Sequence, residues 1–110
     1  MESYRYLLKK GYPARQILLC GESAGGGLIY ALCLRLRELK LPLPCGLIGI
    51  SPWTDLTGSG ESYVKNRDID PSMTPELLKF YAECYTDDPT DPLCSPLFGE
   101  LKGLPPSLLF

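Results

Sequence analysis

The 110 residues contain no histidine. A serine–histidine–acid relay therefore cannot be completed by side chains of this sequence alone. Cysteine pairing is also missing. Cys20, Cys33, Cys45, Cys84 and Cys94 form no C-x-x-C pair and are odd in number, which argues against a disulfide framework or a zinc site. They are expected to be free, mostly buried thiols in a reducing compartment, the cytoplasm. No basic block or basic–aromatic stripe points to nucleic acid, and no apolar stretch approaches the length of a membrane span. Met1 is followed by Glu2-Ser3-Tyr4-Arg5 rather than by the apolar core of a signal peptide. The rest is the composition of one small globular domain, 45% hydrophobic and 22% charged with a formal net charge of −2.

The chain is organised around Ile17-Leu18-Leu19-Cys20-Gly21-Glu22-Ser23-Ala24-Gly25-Gly26-Gly27. An apolar run breaks at glycine, presents a serine, and leaves through more glycines into a helical pattern carried by Leu28, Ala31, Leu32 and Leu36. This strand–turn–helix order is that of a nucleophile elbow, G-x-S-x-G. Gly21 and Gly25 are expected where a side chain two residues either side of the serine would strike neighbouring backbone. The turn presents the Ser23 hydroxyl and sets the Ala24 backbone N–H beside it, one donor for a developing oxyanion. The bare pattern arises by chance often enough that this context has to carry the reading. Phosphate-loop and dinucleotide readings fail, since no lysine follows the glycines and Tyr30 stands where the second motif needs glycine. No metal or cofactor is expected.

Around the elbow the elements follow in order. Glu2 to Lys10 reads as the C-terminal half of a helix stopped by Gly11. A strand is predicted over residues 16–20, apolar on both sides as a central parallel strand would be. A helix over residues 24–39 ends in Arg35, Arg37 and Lys40, a solvated helix end rather than an anion site, before Leu41-Pro42-Leu43-Pro44. Cys45 to Ile50 is expected to be a second strand buried on both faces, so strand, crossover helix and strand make a parallel βαβ unit of the α/β class. Asp55, just past its end, suits a catalytic acid but better suits a turn, bonding local backbone N–H groups. A helix opens at Thr74-Pro75-Glu76, with Leu77, Leu78, Tyr81, Ala82 and Tyr85 on its apolar face, as core or as the lining of an acyl pocket. Two decoys are set aside. Asp87 to Pro92 lacks calcium-loop spacing, and Ser62-x-x-Lys65 has neither companion motif of the serine–lysine acyl enzymes. The chain closes in an apparent strand, Ser107 to Phe110.

Four ordered stretches, Gly21-Glu22-Ser23-Ala24-Gly25-Gly26, Ser51 to Leu56, Asp91 to Leu97 and Leu101 to Pro106, resemble the hormone-sensitive-lipase-like (GDXG) esterases of the α/β-hydrolase fold. Glu22 stands where that family more often has aspartate. The resemblance implies a partial α/β-hydrolase fold with a helical cap insertion: residues 1–56 as core with the elbow, 57–90 as cap, and 91–110 as the return to the core, cut off within a strand. It implies a carboxylic-ester hydrolase acting on small-molecule esters, with Ser23 as nucleophile and Ala24 in the oxyanion hole. The family's upstream H-G-G-G loop, downstream acid and histidine are not among these residues. The sequence is therefore expected to be the middle of a longer protein, inactive alone, marginally folded and dependent on a complementing fragment or an oligomer. The other reading is a non-catalytic remnant or small binding module.

Overall fold

A computed structural model describes residues 1–110. Its elements are α1 (Glu2–Lys9), a 3-10 turn (Ala14–Gln16), β1 (Leu18–Glu22), α2 (Ala24–Glu38), β2 (Gly46–Ile50), α3 (Ser62–Lys65), α4 (Pro75–Tyr85), a second 3-10 turn (Pro96–Phe98) and β3 (Ser107–Leu109). The strands form one parallel sheet in the order β1-β2-β3, with Cys20, Ile48 and Leu108 side by side.

The apolar spacing of α2 explains what the sheet rests on. Ile29 and Cys33 pack against Leu47 of β2, and one turn further Leu36 packs against Ile17 and Tyr4 of α1. Leu19 joins both groups. The Tyr4 ring is buried, and its hydroxyl donates to the Pro42 carbonyl at 2.8 Å, tying α1 to the chain between α2 and β2. Burial pushes the Cys33 thiol up to about 11, so it packs as a neutral apolar group. Gly11 follows α1 at φ +95°, a left-handed conformation open to glycine, and ends the helix.

Three expectations need correction. The first strand lies later than the apolar run suggests: residues 14–16 coil into the 3-10 turn, and β1 continues through Gly21 and Glu22 because these pair with Gly49 and Ile50. β1 is also not central and not buried on both faces. It is an edge of the sheet, and Leu18 and Cys20 are exposed on the face opposite α2. Nor are the thiols mostly buried: Cys20, on that open face of β1, is exposed, as are Cys45 before β2 and Cys84 on α4, while Cys94 is half-buried and Cys33 alone is buried. The sheet thus has one face covered by α2 and one face open. Leu18, Ile50 and Leu108 all lie exposed on the open side, so the same correction applies to β2, which is not buried on both faces.

Residues between β2 and the second 3-10 turn carry α3 and α4. Thr74 caps α4 by accepting from the Leu77 N–H at 3.2 Å, with Pro75 at the first helical position. No helix is long and apolar enough to cross a membrane.

Candidate functional site

Ser23 sits between the last residue of β1 and the first of α2, at φ 51° and ψ −119°. This is a strained backbone for a residue with a Cβ. Three backbone hydrogen bonds hold it. The Ser23 N–H donates to the Ile50 carbonyl at 3.0 Å, and the Ser23 carbonyl accepts from Gly27 N–H at 3.2 Å and Trp53 N–H at 2.8 Å. A serine at a helix N-cap ordinarily spends its hydroxyl on the first free N–H groups of the helix. Here the hydroxyl makes no such cap bond. The backbone bonds thus fix the turn while the side chain remains available, and Ala24 begins the helix beside it.

The glycines around Ser23 do different work. A Cβ on Gly21 would strike the Gly25 carbonyl, so the first elbow glycine is sterically required. A Cβ on Gly25 would meet nothing within 4 Å, contrary to expectation, because the approach is made by its backbone and not by its missing side chain. The crowded positions are the next two. A Cβ on Gly26 would lie 2.6 Å from Pro52 Cβ, and one on Gly27 would strike the Trp53 carbonyl. The start of α2 is therefore pressed against the loop that leaves β2. That loop is itself strained, with Ser51 at φ 42° and its N–H donating to the Phe110 carbonyl at 2.7 Å.

Asp55 lies in the same loop and is buried. Its carboxylate accepts four hydrogen bonds: from the Thr57 N–H and hydroxyl at 2.8 and 2.5 Å, and from the Ser59 N–H and hydroxyl at 3.1 and 2.6 Å. Burial pushes its pKa up, but the bonds from Ser59 and Thr57 outweigh that and hold the carboxyl below its ordinary value. The local-turn reading of Asp55 is what the geometry supports, since both oxygens are occupied within four residues. Ser95, wholly buried, joins the two ends of the segment that follows. Its hydroxyl accepts from the Leu56 N–H at 2.8 Å and donates to the Pro89 carbonyl at 2.5 Å.

A cavity of about 300 Å³ opens beside Ser23. Its floor is α2 and the post-β2 loop, through Ala24, Leu28, Ala31, Trp53 and Leu56; its roof is Met73 with Leu78, Tyr81 and Tyr85 of α4; Leu93 and Cys94 close one side. No charged side chain lines it. The apolar face of α4 is thus divided, with Ala82 buried as core while Leu78, Tyr81 and Tyr85 line the cavity. Trp53, Leu93 and Cys94 were not singled out as site residues from the sequence. Their signal is only that they fall within stretches shared with a family, next to the post-β2 turn and before the buried Ser95. The decoys are spent elsewhere: Lys65 pairs with Glu61 at 2.7 Å, and Asp88 accepts from the Thr90 N–H and hydroxyl.

A parallel sheet, a strained serine between strand and helix, and an apolar cavity at the carboxyl ends of the strands together describe an α/β-hydrolase core. The profile of the alpha/beta hydrolase fold family matches residues 1–110, and the chain belongs to that family, with relatives among the hormone-sensitive-lipase-like esterases. It is 40% identical over 109 residues to an acetyl-hydrolase of Streptomyces hygroscopicus, covering 97% of this chain and 36% of that protein. It is 42% identical over 109 residues to an esterase of Acinetobacter venetianus, covering 96% and 36%. A crystal structure of an esterase from the bacterial hormone-sensitive lipase family superposes with a TM-score of 0.93 at 43% identity, covering 97% of this chain and 37% of that one. The chain thus spans little more than a third of the length of these relatives.

Proposed function

We propose that these residues supply the nucleophile, one oxyanion donor and the acyl cavity of a serine carboxylic-ester hydrolase. The observation that carries the proposal is the Ser23 hydroxyl, left unspent at a helix N-cap beside an uncharged cavity. In the reaction, a base takes the Ser23 proton as Oγ bonds to the ester carbonyl carbon. The carbonyl oxygen gains negative charge and is met by the Ala24 N–H at the positive end of α2. The ester C–O bond then breaks as the base passes that proton to the departing alcohol; the base next takes a proton from water as it attacks the acyl carbon, and returns it to Oγ as the acyl–Oγ bond breaks and the acid leaves. The base would be a histidine, and there is none among the 110 residues. These residues alone are therefore expected to give no ordinary turnover. Five thiols in an odd number support a reducing, cytoplasmic setting.

The test is fluorophosphonate labelling and ester hydrolysis by the 110-residue chain, with and without imidazole as a diffusible base, beside Ser23→Ala. Neither labelling nor turnover is expected without imidazole, and Ser23-dependent labelling is expected with it. Labelling that persists in Ser23→Ala overturns the assignment. The uncharged cavity also supports a second reading, a non-catalytic binder of the same apolar ligands. That reading predicts no labelling under either condition, with the cavity still occupied by ligand.

A further inference from the structure

The Ser23 cavity shares part of its lining with a neighbouring space. A second concavity of about 330 Å³ lies on the far side of Leu28, Ala31 and Leu93, and these three residues line both spaces. The second space is apolar, running along α2 to Met1 at one margin and to Arg35, whose guanidinium is already paired with Glu38 at 2.9 Å. No charged side chain lines the Ser23 cavity, and Arg35 is the one charged side chain at the second space. The partition between them is thin at Ala31, which contributes only a methyl group. It is soft at Leu28, whose side chain is 55% exposed and so is not pinned by the core.

We propose that Leu28, Ala31 and Leu93 form the wall that sets acyl length at this site, and that a straight apolar tail too long for the Ser23 cavity must displace Leu28 to reach the second space. The occupant is the uncharged tail of an acyl group whose carbonyl lies at Ser23, because the three residues shared by the two spaces are all apolar and the Ser23 cavity has no charged side chain to hold an ionised end. The proposal rests on the ester-hydrolase reading for the position of the carbonyl. Its test needs no turnover.

Trp53 is the sole tryptophan and lines the Ser23 cavity, so its fluorescence reports occupancy. The 110-residue chain is titrated with a graded series of straight-chain methyl ketones, non-hydrolysable counterparts of the acyl half. Each added methylene is expected to tighten binding about fourfold, the equivalent of about 0.8 kcal/mol per buried CH₂, up to a break where the tail meets the wall. Leu28→Ala is expected to move that break to longer chains and Leu28→Phe to shorter ones. A break at the same length in all three proteins, or no break in the parent chain, overturns the wall. No Trp53 response at any length overturns the cavity itself as an apolar site. Absence of Ser23 labelling in the presence of imidazole, with the breaks intact, would instead count against the ester-hydrolase reading alone.

Discussion

Gly25, Gly26 and Gly27 are adjacent, yet one methyl group added to each meets three different surroundings. At Gly25 it enters open space, and at Gly26 and Gly27 it meets Pro52 and the Trp53 carbonyl. Gly25→Ala is therefore expected to leave the melting temperature unchanged or to raise stability by roughly half a kcal/mol through helix propensity. Gly26→Ala and Gly27→Ala are each expected to cost about 1–3 kcal/mol by overpacking against the post-β2 loop. Equal effects at all three positions would contradict the packing described. The strand–turn–helix setting of Ser23 was legible in the sequence because the motif depends on local turn geometry. The unequal roles of the three glycines were not, because the atoms that crowd Gly26 and Gly27 belong to residues about 26 positions further on.

Among the elements, the loop leaving β2 is the most heavily specified, and Asp55 is its centre. Since its folded pKa is lowered, the ionised carboxylate contributes stability that is fully present above the unfolded value of about 3.9. That contribution is lost as pH falls through the lower folded value. Melting temperature is expected to drop below about pH 4, and Asp55→Asn is expected to be less stable at neutral pH with a flatter acid limb. Asp70 and Asp88 are also lowered by local hydrogen bonds and share the window, so the difference between parent and Asp55→Asn isolates the Asp55 part. An identical acid limb in both proteins would remove Asp55 from the account. The sequence disclosed α2, β2 and α4 well, since helical periodicity, an apolar run closed by Ser51-Pro52 and a Thr-Pro cap are local signals. It misplaced β1, because strand ends are set by partners: Gly21 and Glu22 are extended only because Gly49 and Ile50 lie alongside.

At the scale of the whole molecule, the two faces of the sheet are unlike. α2 covers one, and the other presents Leu18, Ile50 and Leu108 to solvent between two unpaired strand edges, with Phe110 exposed just beyond β3. Such a surface is expected to associate, with sedimentation and melting of the 110-residue chain depending on concentration. Leu18→Lys, placing a charge on an exposed edge position, is expected to weaken that dependence without disturbing α2 packing. A concentration-independent monomer would set this expectation aside. The open face was foreseeable from the sequence as a shortage of strands and helices, whereas the identity of the exposed residues required the register. Ser95 has a further consequence. Because one hydroxyl joins Leu56 to Pro89, the excursion that carries α3 and α4 departs and returns at nearly one point, like a side loop on a main line. The roof of the cavity can then be lengthened, shortened or exchanged by descent or by design while the strand order and the serine beneath it stay in place, so that what the site accepts and how it reacts can change independently.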